Sequence, residues 1–435
     1  MNEWQPRPRK KLPPDLTPGE IEALEALRAQ LSETTLVERH MAAYQTREAP
    51  IRGAENPDLV RDEVFRFERG QIYKAYEILR GHIREIEAGG GDATDQRNLL
   101  LRIRERAKTR ERNLDRLNRQ YHENVRMVEV ETEYGTFVVP VVELDLREQG
   151  GEESEPDERT PYFMLGSVAT NYHQTAALSM GLALAGARVL VPMWPEQEAV
   201  GRPDNFPQQL AQQQDLGLHT AYAKALLQQM NLSSVNIMGV SMGGSVALEL
   251  AQDPEVQGIL QDLIVIEPVG LQKKSLLRLG RDFLVSEGLI KTAPYSEARI
   301  KTLTQGSRTN TSSFALLRQN GRILSNTHFE AAALAKIQPK GKFQIWMGTR
   351  SSIVDSAAAQ ELISEVETLR QHDDSDAAPV AVRVVQGGTH GWPFLNGIGF
   401  AEMLLAEENS QERVTTVSLQ ELANSSMAQL LKGLG

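Results

Sequence analysis

Val235-Asn236-Ile237-Met238-Gly239-Val240-Ser241-Met242-Gly243-Gly244-Ser245-Val246-Ala247-Leu248-Glu249-Leu250-Ala251 is the stretch on which the fold turns. Its beginning, 235–238, is short and β-rich and comes after the polar run 231–234. Its end, 244–251, is a row of small and apolar residues of helical character that stops near Asp253-Pro254. Between them Gly239-x-Ser241-x-Gly243 joins strand to helix directly. A serine in that setting sits on a tight, strained turn that leaves its hydroxyl exposed above a sheet. The flanking glycines answer a steric demand, because a side chain at 239 or 243 would collide where strand and helix pass each other. The pentapeptide by itself says little; its place between a strand and a helix gives it meaning.

The same alternation extends in both directions. Upstream, 162–165 and 188–191 read as strands and 174–185 and 216–230 as helices. Downstream, 263–266, 343–347 and 380–385 read as strands and 356–371 as a helix. Ahead of them, 125–132 and 136–144 flank Glu133-Tyr134-Gly135 as a β-hairpin. Pro140 has no N–H to give to a ladder, which assigns this hairpin to a sheet edge. An antiparallel edge hairpin and then six strands separated by helices predict a mostly parallel, eight-stranded sheet with right-handed crossovers. Residues 149–160 form an acidic linker, and 271–340 carry no strand signal.

The N-terminal third is different. Residues 1–16 are rich in Pro, Arg and Lys and read as a disordered arm. Thr17-Pro18-Gly19-Glu20 then has the form of a capping box with Pro at the first helical position, and Ile21, Leu24, Leu27 and Leu31 continue at helical spacing. A second helix opens at Asn56-Pro57 with Phe65, Ile72, Tyr76, Leu79, Ile83 and Ile86 on a near-heptad stripe. Gly89-Gly90-Gly91-Asp92 ends it. A third carries Leu100, Ile103, Ala107, Leu114, Leu117 and Tyr121, with Arg110 as a polar interruption. Two matched stripes joined by a short glycine loop predict an antiparallel, coiled-coil-like hairpin within an all-α region, 17–123. Between Arg97 and Arg119 nine Lys/Arg stand against three acids. Such a face suits an acidic partner, a membrane surface or a nucleic-acid phosphate backbone or, more plainly, the carboxylates of neighbouring segments. No aromatic residue is interleaved, which argues against single-stranded nucleic acid. The tail, 411–435, reads as a short amphipathic helix from Val414 to Gly435.

Composition narrows the function classes. A net charge of −11 opposes any chain-wide attraction to nucleic acid or anionic lipid. There is no cysteine, hence no disulfide, thiolate metal site or cysteine nucleophile. No apolar run approaches the length of a transmembrane segment, and Met1 to Lys11 lacks the apolar core of a signal peptide, so a soluble, cytoplasmic location is the expectation. No dinucleotide fingerprint, P-loop or zinc-ligand spacing occurs, so neither cofactor nor metal is assigned.

Taken with Gly239-Val240-Ser241-Met242-Gly243-Gly244, residues 125 to about 407 resemble an α/β-hydrolase domain of the serine esterase and lipase kind. The resemblance implies a domain over 125–410 with a helical cap inserted at 271–340, and catalytic residues at strand ends in the order serine, acid, histidine. Ser241 is then the nucleophile, in need of an adjacent base. The base comes after the last strand, where Gln386-Gly387-Gly388-Thr389-His390-Gly391-Trp392 supplies His390; His173, just after the third strand, is the nearest rival and reads as a pocket or helix-start residue. The acid stays open between two positions. The family commonly has Gly-x-x-Asp after the seventh strand, but Gly348-Thr349-Arg350-Ser351 puts a serine there, with Asp355 four residues on at the start of a helix. Glu267 comes directly after the sixth strand in Ile266-Glu267-Pro268. For the oxyanion hole the resemblance implies the N–H of Met242 and one from the loop after the third strand, where Leu165-Gly166-Ser167 keeps the usual glycine without the usual histidine and offers Ser167. Leu276, Leu277, Leu279, Phe283 and Leu284 in the cap, with Trp194, Trp392 and Phe394, are candidates for an apolar pocket wall suited to acyl or aryl groups.

The leading expectation is a serine hydrolase acting on a small-molecule carboxylic ester or related acyl compound, with thioesterase or acyltransferase chemistry open to the same residues. The rival is a catalytically weak protein of the same fold that works as a binding or scaffold module through its N-terminal helices, in a homo-oligomer or with a protein partner.

Overall fold

A computed structural model describes residues 16–32, 57–146, 159–167, 172–197, 199–282, 313–372, 379–388, 390–395, 397–406, 414–418 and 421–422. Expectations for the arm before Leu16, for cap residues 283–312 and for the tail beyond 422 lie outside them.

Helix α1 (Pro18–Ser32) opens with the reciprocal bonds its sequence promises: Glu20 N–H donates to Thr17 Oγ1 at 3.1 Å, and Thr17 N–H donates to Glu20 Oε2 at 2.8 Å. Helices α2 (Pro57–Ala88) and α3 (Thr94–Glu123) are joined by the glycine turn, in which Gly90 has φ +74°. Leu24 and Leu27 of α1, Ile72 and Leu79 of α2, and Leu99 and Ile103 of α3 make one buried cluster. Farther along α3, Leu114, Leu117 and Tyr121 belong to a second cluster. That cluster includes Val142 and Leu144 of the sheet, so the apolar stripe of α3 is spent on the rest of the chain.

The basic face of α3 is used in the same way. Arg97 pairs with Glu87, Lys108 with Glu105, and Arg102 with the buried Glu20. Arg116 donates to the carbonyl of Leu146 at 2.8 Å. Arg110, which in the sequence only interrupts the stripe, pairs with Glu402, a carboxylate that is 1% exposed.

The strands are β1 (Val125–Thr132), β2 (Gly135–Leu144), β3 (Tyr162–Leu165), β4 (Val189–Pro192), β5 (Val235–Val240), β6 (Leu260–Ile266), β7 (Phe343–Gly348), β8 (Val380–Gln386) and β9 (Val414–Ser418). They form one sheet in the order β1-β2-β4-β3-β5-β6-β7-β8-β9. β1/β2 and β2/β4 are antiparallel; every other pair is parallel. The crossing of β3 and β4 and the edge hairpin make this the α/β-hydrolase arrangement, with one strand more than the eight expected. β9 replaces the first residues of the amphipathic helix expected from Val414. Val-Thr-Thr-Val is β-branched throughout, and pairing beside β8 completes the backbone ladder there. Pro140 is accommodated because the β2–β4 ladder begins one residue later, at Val141.

The central strands are buried along their length, as parallel strands covered on both faces must be. Helices α4 (Tyr172–Leu184) and α14 (Gly397–Ala406) cover one face together with α3. The other face carries α6 (Gly217–Gln229), α7 (Met242–Leu250) and α12 (Ser356–His372). Between these lie α5 (Phe206–Gln212), α8 (Pro254–Ile259), α9 (Leu276–Arg281), α10 (Ser313–Asn326), α11 (Ala331–Ala335) and α13 (Trp392–Leu395). In the segment expected to form a cap, the described residues include the helices α9, α10 and α11 together with non-helical stretches. Leu279 of α9 is buried, but Leu277 is 86% exposed, so it does not wall an apolar pocket. Phe283 and Leu284 lie outside the described residues. No described helix is long and apolar enough to cross a membrane.

Candidate active site

β5 ends and α7 begins with only Ser241 between them, and its backbone sits at φ 56°, ψ −117°. An L-residue rarely adopts this conformation, and it persists only where the surroundings over-determine it. The determinants are close backbone passages. A Cβ on Gly239 would lie 2.1 Å from the carbonyl oxygen of Gly243, and one on Gly243 would lie 2.2 Å from that of Leu165. Ser241 N–H is anchored to the carbonyl of Ile266 at 2.8 Å. The turn therefore holds the serine at the carboxyl end of the sheet, between β3 and β6.

The loop after β8 returns a histidine to that serine. His390 Nε2 is 2.9 Å from Ser241 Oγ, and His390 Nδ1 is 3.3 Å from Glu267 Oε2. Glu267 stands directly after β6 at φ 52°, with its N–H bonded to the carbonyl of Trp346 at 2.8 Å. It is fully buried, which for a carboxylate demands compensation. Besides the imidazole, Gly348 N–H and Trp392 Nε1–H donate to its Oε1 at 2.5 and 2.9 Å. The carboxylate thus spends one oxygen on two fixed donors and keeps the other for His390.

Of the two acids left open by the sequence, Glu267 meets the imidazole and Asp355 does not. The exposed Asp355 accepts from the N–H groups of Ala357 and Ala358 at 3.0 and 3.3 Å, as the N-cap of α12. Ser351, in the place of the family's usual acid, accepts from Val354 N–H at 3.2 Å and shapes the turn. His173 lies in the first turn of α4.

Met242 is the first residue of α7, where N–H groups have no intrahelical acceptor. Ser167, buried at 4% exposure, stands two residues past the end of β3. The loop after β3 passes close to the start of α7, since a Cβ on Gly243 would also lie 2.5 Å from the carbonyl oxygen of Gly166. Sequence reasoning missed the residues that hold Glu267. Trp392 stood out only as an aromatic beside His390, and nothing local marks an indole N–H as a carboxylate donor. It also missed a buried polar group, in which Glu196 Oε1 lies 2.6 Å from His219 Nε2 and accepts from Asn320 Nδ2 at 2.9 Å. Burial alone would raise the Glu196 pKa, but the His219 imidazole and the bonds from His219 and Asn320 outweigh it and hold the carboxyl below its ordinary range. Among the described residues no cluster of side chains has the make-up of a metal site.

No family model matches this chain, and no curated protein matches it. Solved structures do. An enol-lactonase from Burkholderia xenovorans LB400 is 14% identical over 64% of this chain and 98% of its own, with a TM-score of 0.46. A membrane phospholipase A described as a bacterial virulence factor is 14% identical over 76% of this chain and 97% of its own, TM-score 0.46. A lipase-type protein from Acinetobacter baumannii AYE is 12% identical over 68% and 93%, TM-score 0.45. At that distance the functional reading rests on this chain's own geometry.

Proposed function

We propose that this chain is a serine hydrolase that cleaves a carboxylic ester or related acyl substrate through an acyl-enzyme. The observation that carries the reading is the continuous hydrogen-bond chain from Ser241 Oγ through His390 to Glu267, built on a turn that holds Ser241 at φ 56°. Ser241 Oγ attacks the acyl carbon while His390 Nε2 takes its proton, and Glu267 holds the imidazole and balances the charge it gains. The carbonyl oxygen, now negative, faces the N–H groups of Met242 and Ser167. Collapse of the tetrahedral species breaks the bond to the leaving oxygen, which takes the proton back from His390. Water then attacks the acyl-serine, His390 receives its proton, and the acid departs with Ser241 restored. The residues serve transfer to another alcohol or thiol equally well.

A binding module working through the N-terminal helices has less support, because the apolar stripe of α3 and several of its cations are already engaged within the chain. Rapid mixing with p-nitrophenyl acetate or butyrate tests the hydrolase reading. It predicts steady release of p-nitrophenolate, with a burst no larger than one equivalent per chain if deacylation is the slow step. Release no faster than in buffer, for all chain lengths tried, contradicts it.

A further inference from the structure

The second oxyanion donor comes from the loop after β3, where a glycine, Gly166, precedes Ser167. Gly166 leaves its peptide unit free to rotate, and an N–H aimed wrongly is useless in a transition state that needs donors placed in advance. The structure supplies a constraint from outside the loop. Trp194, two residues past β4, is buried and donates its indole Nε1–H to the carbonyl of Gly166 at 2.9 Å. That carbonyl and the N–H of Ser167 belong to one planar, trans peptide unit, so they point in opposite directions. Fixing the oxygen on one side fixes the N–H on the other.

The indole is itself held. Its ring meets that of His219 edge to face, with centroids 5.6 Å apart and planes at 78°. His219 lies 2.6 Å from Glu196, and Asn320 of α10 donates to the same carboxylate oxygen at 2.9 Å. His219 and Glu196 come from α6 and the loop after β4, and Asn320 from the segment inserted between β6 and β7. All four side chains are buried. A buried carboxylate bonded to His219 and Asn320 thus backs the indole that holds the Gly166 carbonyl.

We propose that Trp194 is the positioning residue for the second oxyanion donor, orienting Ser167 N–H by hydrogen-bonding the Gly166 carbonyl, with His219, Glu196 and Asn320 as its support. This rests on the acyl-transfer reading of Ser241. It extends that reading to a device outside the triad and ties oxyanion-hole geometry to the inserted helices.

Trp194→Phe tests it, because the ring stays and the N–H goes. With p-nitrophenyl butyrate, kcat falls roughly 10- to 100-fold, less than the 10²- to 10³-fold typical of losing a donor outright, while KM stays within about twofold. A trifluoromethyl ketone, which binds as a tetrahedral oxyanion, loses affinity by a similar factor, whereas a merely structural role would not weaken the analogue selectively. Glu196→Gln, which loosens the support and keeps the indole, gives a smaller loss of the same kind. A folded Trp194→Phe enzyme with wild-type kcat and analogue affinity overturns the proposal. If Trp194→Phe does not fold, wild-type kcat and analogue affinity in Glu196→Gln overturn it instead. Ser241→Ala, assayed alongside, separates the two levels: activity surviving there sinks the acyl-transfer reading itself.

Discussion

Glu267→Gln lowers kcat for ester hydrolysis by about 10³- to 10⁴-fold, the scale expected when a triad amide replaces the carboxylate. The reason lies in the three partners of the side chain. Gly348 N–H and Trp392 Nε1–H both point at Oε1 and require an acceptor. A glutamine satisfies them with its carbonyl oxygen and is left presenting its NH₂ group, a donor, to His390 Nδ1. The imidazole must then accept at Nδ1 and carry its proton on Nε2, the nitrogen that faces Ser241 Oγ. A base already protonated at the reacting nitrogen cannot take the serine's proton. Volume and packing are unchanged, so the melting temperature moves little and the loss falls on kcat. Asp355→Asn is the matched control: asparagine caps a helix as well as aspartate does, and both rate and stability stay near wild type. A Glu267→Gln enzyme within tenfold of wild type, or a large loss in Asp355→Asn, contradicts this assignment of the acid.

Arg110→Met has the second-largest effect, on stability instead of rate. Removing the guanidinium leaves Glu402, a carboxylate 1% exposed on α14, without the cation that faces it from α3. Breaking a buried pair from one side costs about 3–5 kcal/mol, because the surviving charge keeps its desolvation penalty and loses its partner. Differential scanning calorimetry should show a melting temperature lower by on the order of 10 °C. On the proposed hydrolase reading, ester hydrolysis at low temperature is retained, since Arg110 and Glu402 pair between α3 and α14 and are not members of the Ser241–His390–Glu267 chain. The double variant Arg110→Met, Glu402→Met recovers much of the loss, because two packed thioethers need no mutual charge. An unchanged melting temperature in the single variant would mean that the pair does not tie α3 to α14.

The elbow was legible from sequence because its constraint is local: a strand, a turn with no room for Cβ at 239 or 243, and a helix, all within seventeen residues of sequence that carry their own steric logic. His390 was legible because the order of strands points to one loop. The acid was not, since Glu267 and Asp355 both come after strands, and the difference between them is which carboxylate can lie between Gly348, Trp392 and an imidazole 123 residues away. Strand β9 was missed because only Val417 of its five residues is buried, leaving too little alternation to outweigh the helical look of the residues after it. The Arg110–Glu402 pair spans 292 residues, yet one half had a readable sign: a single acid within the apolar Gly397–Ala406 helix has to be paired. Trp194 carried no such sign, because its donor reaches a backbone carbonyl that no side-chain pattern announces.

The most direct test of the triad is to treat the folded protein with a fluorophosphonate and map the adduct by mass spectrometry. A single phosphonyl group on the peptide containing Ser241, formed far more slowly in Glu267→Gln than in Asp355→Asn, is the predicted result. No adduct on folded wild-type protein, or one on a different serine, would contradict a nucleophile at Ser241 activated by His390 and Glu267.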